Sequence, residues 1–429
     1  MLAILFAMLL AQPAPLTLDG AVSLAMERNP DLRKQVLLML SAEQDKSISR
    51  AAILPSLGFN ASITESAQGA TDAYFFSGFP VPAQAATSYQ SWAGSATLRQ
   101  LVFDGGKWWN NLAVSDLAQQ ASVAQVDEQR LQITYLVEQR FYELVRAQRQ
   151  LAVLSEAAAR SRDQAEFTQR LFEGGRSTQA DVYAARANRD NDEVNRLAQE
   201  RNVELARTDL ATAIGVDPDQ PLTVTEPPHL MDEPAQPPPA KDAVARALET
   251  RPSLKAANLT LESNRKAASA ASGDYWPAVS LAATYTRNTV SADPFFSKLN
   301  HNATLYGSVN LSWNVFNGLA TTATVRKAEI AALMSENDLA SARRGVAADV
   351  EKAVAQLATA RAQVRVAQQA QQTATEGLRL AKTRQEVGVG TQLEVRDAEL
   401  KLTQAQLSVV GSLVDGREAE AALRRAEGG

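Results

Sequence analysis

Cysteine is absent from the 429 residues, and histidine occurs only twice. The first absence excludes a disulfide framework and thiolate metal sites, and leaves no N-terminal Cys to carry a lipid. His229 and His301 each lack a second ligand at metal spacing, so both read as surface histidines and neither a metal nor a cofactor is expected. Positive charge is not in excess: 43 Lys and Arg face 48 Asp and Glu, a net charge of -5 that argues against nucleic acid. Aromatics are scarce at 6%, which with abundant alanine favours long packed helices over compact cores. Beyond the first residues no apolar run reaches the roughly 20 residues of a transmembrane helix. Any passage into a membrane therefore falls to strands. No enzyme is expected either, since GVG at 388–390 has no following Lys and no nucleophile elbow occurs.

What is present comes twice. AVSLAMERNPDL from Ala21 returns as AVARALETRPSL from Ala243, and Pro55 lines up with Pro277 at the same offset. A slightly shorter offset matches Asp104 and Gly105 to Asn317 and Gly318, GGRSTQADV after Glu173 to VGVGTQLEV after Glu386, and Gly215 to Gly428. A shared order of landmarks implies a duplicated supersecondary unit. Each unit reads as helix, strand, strand, long helix, helix: 18–215, then a Pro-rich linker at 216–240, then 241–428.

The leading residues 1–14 read as a short secretory signal, apolar from Leu2 to Leu10 but without Lys or Arg. Helical periodicity is strongest over 107–171, where Val126, Ile133, Val137, Phe141, Leu144, Leu151 and Leu154 form one stripe that neither Pro nor Gly interrupts. The second half repeats it over 320–385 with Val350, Val354, Leu357 and Val364. At about 1.5 Å per residue each run makes a helix approaching roughly 100 Å. Shorter helices are expected over Leu18 to Ile53, 178–214, Lys241 to Ser272 and 391–427, two of them end to end matching one long helix. An alanine-rich coiled-coil rod fits these helices as well.

Four segments carry period-two texture, at about 55–66, 90–103, 277–288 and 304–315. Leu57, Phe59 and Ile63, Leu98, Leu281 and Tyr285, and Val309, Leu311, Trp313 and Val315 alternate with Ser, Asn, Thr and Gly. Each is long enough for a tilted membrane strand with one lipid face and one wet face, although a soluble half-buried sheet alternates too. Trp92, Trp108, Trp109, Trp276 and Trp313 fall in or beside these strands, as a membrane-interface girdle would. At the opposite tips Phe75 and Phe76 match Phe295 and Phe296. Four strands cannot close a barrel and an open edge is not tolerated in lipid, so a membrane reading forces oligomerisation. Twelve strands from three chains leave room for a pore where eight do not.

The duplicated unit, the NP and RP helix openings at Pro30 and Pro252, the FDGG and FNG turns and the hairpin tips resemble the outer-membrane efflux proteins, the TolC family, from Leu18 to Gly428. That resemblance implies an α+β membrane protein, a homotrimer whose 12-stranded transmembrane β-barrel, four strands per chain, continues as an α-helical periplasmic tunnel. It implies a passive exit duct in the outer membrane of a Gram-negative bacterium, serving an efflux pump or type I secretion system. The partners would be a periplasmic adaptor (membrane fusion) protein and an inner-membrane transporter. A C-terminal extension and a lipid anchor, both seen in some relatives, are not expected here; the Pro-rich linker can lie along the tunnel's equator instead.

Function should concentrate at the turns joining each long helix to the next. Gly174, Gly175 and Ser177 in one, and Gly388, Gly390 and Thr391 in the other, carry helix-stopping and capping chemistry. The resemblance adds that these tips narrow the entrance and receive the adaptor. Glu394 and Asp397, three apart on one face, match acids that line the entrance, and Asp181 matches an acid that helps tether neighbouring helices. The basic and tyrosine partners of that tether are replaced by Gly390 and Gln385. A solvated helical face is the simpler reading of all three acids.

Overall fold

The computed structural model describes residues 15–220, 222–297 and 300–429; the leader expected at 1–14 lies outside them. Two compact units emerge. One gathers the chain up to Met39 with Ala121–Ala257 and Asp338–Gly429, and the other comprises Leu40–Gln120 and Asn258–Asn337.

The helices are α1 (Leu18–Arg28), α2 (Pro30–Ala51), α3 (Lys107–Glu173), α4 (Gln179–Ile214), α5 (Ala240–Thr250), α6 (Pro252–Ser272), α7 (Ala292–Ser297), α8 (Ala320–Glu386) and α9 (Gln392–Glu427). Both long helices, α3 and α8, have 67 residues, and both partners, α4 and α9, have 36. Leu18 to Ile53 and Lys241 to Ser272, expected as single helices, are each broken. A proline disfavours helical dihedrals in the residue before it, and Asn29 (ψ 124°) and Arg251 (ψ 121°) are accordingly extended.

The breaks receive the ends of the partner helices. Asn29 Nδ2 donates to the Ala213 carbonyl near the end of α4, while its Oδ1 accepts from Asp31 and Leu32. In the second half Thr250 Oγ1 donates to the Glu427 carbonyl, 2.6 Å. Gly215 follows α4 in the left-handed region (φ 85°), where a Cβ would come within 2.7 Å of the Arg28 carbonyl, so only glycine fits.

Unlike the sheet, the helical unit has an interior. Val126, Ile133, Val137, Phe141 and Leu144 of α3 are buried with Ala21 and Ala25 of α1, Leu210 and Ile214 of α4, and Val414 of α9. Leu151 and Leu154, at the end of the expected stripe, are half-buried. The corresponding core of the second half joins Val346, Val350, Ala353, Leu357 and Ala360 of α8 to Ala243 and Ala247 of α5 and Ala419 and Ala426 of α9. Large side chains dominate the first core, whereas the second mixes alanines with Leu254, Val346, Val350, Leu357 and Leu423.

The Pro-rich linker is strapped onto this unit. Leu230 enters the first core. Glu226 pairs with Arg149 of α3, and Glu233 with Arg361 and Arg365 of α8 at 2.9 and 3.1 Å. Buried Arg417 of α9 donates to the Asp232 carbonyl at 2.9 Å and also to that of His229, and Glu420 accepts from the Ala235 amide at 2.6 Å. Pro234 lies on Gly416, where any side chain would collide with its ring.

The second unit holds an antiparallel sheet of β1 (Ser56–Gln68), β4 (Thr87–Phe103), β5 (Ala278–Thr289) and β6 (Ala303–Ser312), in that spatial order. Its register sets Leu57 opposite Leu98, Phe59 opposite Ala96, Ala96 opposite Tyr285, Tyr285 opposite Leu305 and Leu281 opposite Val309. Directly paired residues share a face, so the apolar stripes of all four strands coincide. The other face carries Asn60, Ser62, Ser95, Thr97, Thr284, Ser308 and Asn310. Leu57, Phe59, Leu305, Val309 and Leu311 stand two-thirds or more exposed.

Expected to reach residue 315, β6 ends at Ser312, so Trp313 and Val315 lie beyond it. The matched aromatic tips also differ. Ser77 and Gly78 (φ 49° and 85°) make the tight turn of a hairpin, β2 (Tyr74–Phe76) and β3 (Phe79–Val81), whereas Phe295 and Phe296 lie on the helical turn α7. No helix among the described residues is long and apolar enough to cross a membrane.

Candidate functional site

The α3–α4 turn is built from its own backbone. Gly174 N–H donates to the Arg170 carbonyl at 3.0 Å, Gly175 (φ 70°) to Phe172 at 2.9 Å and Arg176 to Leu171 at 2.8 Å. Thr178, rather than Ser177, caps α4: its Oγ1 accepts from the Asp181 amide at 3.2 Å, and Asp181 Oδ2 accepts from the Thr178 amide at 3.0 Å. This reciprocal capping box also takes the Ser177 and Thr178 hydroxyls onto Asp181, at 3.1 and 2.7 Å. The hydroxyl and amide of Thr178, then Ser177, hold the Asp181 carboxyl below its ordinary value. Within one chain Asp181 therefore serves its own cap.

In the α8–α9 turn Gly388 (φ 78°) donates to the Gln385 carbonyl at 3.0 Å, and Val389 and Gly390 both donate to Arg384, at 3.0 and 2.9 Å. A Cβ on Gly390 would meet the Gln385 nitrogen at 2.8 Å and the Arg384 carbonyl carbon at 2.9 Å. Close approach of backbone thus explains glycine at this position. Thr391 caps α9 by accepting from the Glu394 amide at 3.2 Å, but the Glu394 carboxylate does not reach back and instead lies 3.5 Å from Arg384. Asp397 pairs with Lys401 at 2.6 Å in the open.

Glu394 and Asp397 line a groove between α8 and α9 floored by Ala374, Gly377 and Ala381. Asp181 does not join them; it borders a different cavity with Gln392, Arg396 and Glu399. Around both turns Val387, Val389 and Leu393 stand exposed, with Phe172 partly so.

Sequence reasoning missed a buried polar cluster a turn or two above the tips. Arg396 of α9 holds Asp192 of α4 with two bonds, 2.7 and 3.0 Å. Glu399, one turn on, is 4% exposed; its Oε1 has no hydrogen-bond partner among the described residues, and Lys382 of α8 stands 4.0 Å away. Arg160 of α3 donates to Thr403 at 3.0 Å, and Gln392 donates to Thr168. Burial pushes the Glu399 carboxyl up, against the pull of Lys382, Arg396 and Arg160. The spacing of 392, 396 and 399 on one helical face was the available signal, hidden because charged residues on helices read as solvated.

At the strand-to-helix junctions Asp104 Oδ2 accepts from the Trp108 amide at 2.9 Å and Asn317 Oδ1 from Thr321 at 3.3 Å, which accounts for the FDGG and FNG motifs as caps. Trp108 stacks on Trp109 with centroids 3.5 Å apart, and Trp313 Nε1 donates to the Tyr275 carbonyl at 3.1 Å. Trp109, Trp276 and Trp313 are exposed at this end of the sheet. Trp92 lies at the other end, against Phe295 and Phe296.

Comparison with known proteins covers nearly the whole chain. A family model described as outer membrane efflux protein matches residues 21–216 and 243–429. No curated protein sequence matches. Among solved structures, the outer membrane protein VceC of Vibrio cholerae superposes with a TM-score of 0.79 at 19% identity, over 96% of this chain and 96% of that one. A membrane protein from Pseudomonas aeruginosa gives 0.81 at 19%, over 96% and 92%. The open state of the Neisseria gonorrhoeae MtrE outer membrane channel gives 0.80 at 20%, over 96% and 89%. At such identities the likeness is one of fold.

Proposed function

The chain belongs to the outer membrane efflux protein family, matched in both of its halves, and from that premise we propose that it is a passive exit duct assembled from three copies. The carrying observation is the sheet. Its four strands present one largely exposed apolar face, interrupted by Gln100 and, toward one end, by buried Arg287 and Thr289, and one mostly polar face, and β1 and β6 are edges with no partner among the described strands. Such edges are costly in lipid, and twelve strands from three chains would close them around a wet lumen. The family is one of efflux channels rather than enzymes, so energy comes from an inner-membrane transporter. Localisation follows the same reasoning: strands in the outer membrane, helices in the periplasm.

Glu394 and Asp397, repeated around a threefold axis, would form rings of carboxylates that favour cations at the constriction. Gly174, Gly175, Ser177, Gly388, Gly390 and Thr391 shape the tips, and exposed Val387, Val389 and Leu393 add the apolar surface on which a periplasmic adaptor would seat. Conductance in a planar bilayer tests the reading. Small cation-selective currents that lose selectivity in Glu394→Gln/Asp397→Gln support it; a water-soluble rod without current would overturn it and leave a periplasmic scaffold.

A further inference from the structure

The buried cluster joins elements of both helical hairpins. Asp192 comes from α4 and Arg160 from α3, whereas Arg396 and Glu399 come from α9 and Lys382 from α8. Both carboxylate oxygens of Asp192 are held by Arg396, whose own Nε has no hydrogen-bond partner among the described residues. Arg160 carries a distant second pairing to Glu156, 3.8 Å, on its own helix. Glu399 is left with an ion pair at 4.0 Å and an oxygen without a hydrogen bond. Beside it lies a cavity of about 140 Å³ bordered by Ser161, Gln164, Asn188, Gln392 and Arg396. Ala184, Ala185 and Leu393 also line it; the polar groups leave room and partners for a water, which gives protons a route to the carboxyl.

We propose that Glu399 couples the packing of α9 against α3 and α4 to proton binding, so that the joint between the hairpins tightens in acid and loosens as the proton leaves. The Asp192–Arg396 pair supplies the fixed link and Glu399 the adjustable one. Its consequence for transport, that loosening favours opening, rests on the exit-duct reading; the joint itself does not.

The sign follows from the environment. Desolvation favours the neutral carboxyl in the packed joint, and Lys382, Arg396 and Arg160 only partly oppose it, with Asp192 adding to it. A parted joint would return the group to water and to its ordinary value of 4.5. Packing therefore binds the proton more tightly than parting does. Between the ordinary value and the raised one, each rise of one pH unit shifts the balance toward the parted form by up to about tenfold per chain.

The absence of native cysteine permits a clean test. Spin labels at Ala187→Cys on α4 and Leu400→Cys on α9, in the full-length protein, report the joint by distance at pH 5 and pH 8. The long-distance population should grow toward pH 8 in the parent and stay small at both pH values in Glu399→Gln. Glu399→Met, of similar volume and without charge, should behave as Glu399→Gln, which separates charge from a lost hydrogen bond. A parent that does not respond, or a Glu399→Gln protein that responds as the parent does, overturns the proposal. Bilayer recordings separate the two readings: distances that respond without any current leave the joint standing and remove the duct. Currents with unresponsive distances do the reverse.

Discussion

The two helix–helix turns align residue for residue, yet they handle their acids in opposite ways. At the α3–α4 turn Asp181 is folded into a reciprocal cap with Thr178 and Ser177. At the α8–α9 turn, Gly390 replaces Ser177 and tightens the backbone, and the Glu394 carboxylate is left outside the cap beside Arg384. One turn spends its charge on local order and the other leaves it free for the groove. Two hairpins of equal length can thus differ in how their turns are capped.

The comparison can be broken at several points. The largest effect is expected where the hairpins meet: Asp192→Ala strands the Arg396 guanidinium in a buried site and should cost about 3–5 kcal/mol, whereas Asp192→Leu/Arg396→Leu should be near neutral. Denaturant unfolding of the detergent-purified protein, followed by far-UV circular dichroism, measures both. Next comes the tighter turn. Gly390→Ala forces a Cβ onto the Gln385 nitrogen and should cost about 1–3 kcal/mol, against well under that for Ser177→Ala. Equal losses would mean that the turns do not differ in tightness.

Caps should rank below these. Thr178→Ala removes a capping box and should cost about 1–2 kcal/mol, and Thr391→Ala, with one bond to lose, about 0.5–1 kcal/mol. Acid sharpens the contrast. Asp181 has its carboxyl held below the ordinary 3.8, so its cap contributes fully above that value and fades as pH falls through the lowered one. Asp181→Asn should abolish this limb of the acid titration, and Glu394→Gln should keep it. Smallest of all, Lys401→Ala opens the exposed pair with Asp397 and should change stability by no more than about 0.5 kcal/mol.

Much of the frame was legible in the residues because its signals are periodic. The stripe from Val126 to Leu144 and the alternation from Leu57 to Ile63 each name a face, and the core and the sheet register use those faces. Legibility failed where the deciding contact is distant in sequence. Local pattern also falls short at the caps: Thr178 and Asp181 share their spacing with Thr391 and Glu394, so the signature alone does not say that only Asp181 reaches back. Asp192 and Arg396 are 204 positions apart, so neither looks paired on its own helix. Pro30 signalled the helix break at Asn29, but the helix formers beyond it on both sides made the stretch read as one element, and the aromatic tips were masked by a turn, Ser77-Gly78, that α7 lacks. Alanine also misleads: Ala353 and Ala360 carry the second core as much as Leu357 does.

Val414 and Arg417 tie the two halves of the helical unit together through one helix. Val414 completes the core of the first half, and Arg417 secures the carbonyls of His229 and Asp232, yet both reside on α9 in the second half. That core is therefore closed by a contact distant in sequence, which carries a loop-closure cost and slows folding. The first half alone is expected to leave Leu144 and Ile214 partly uncovered.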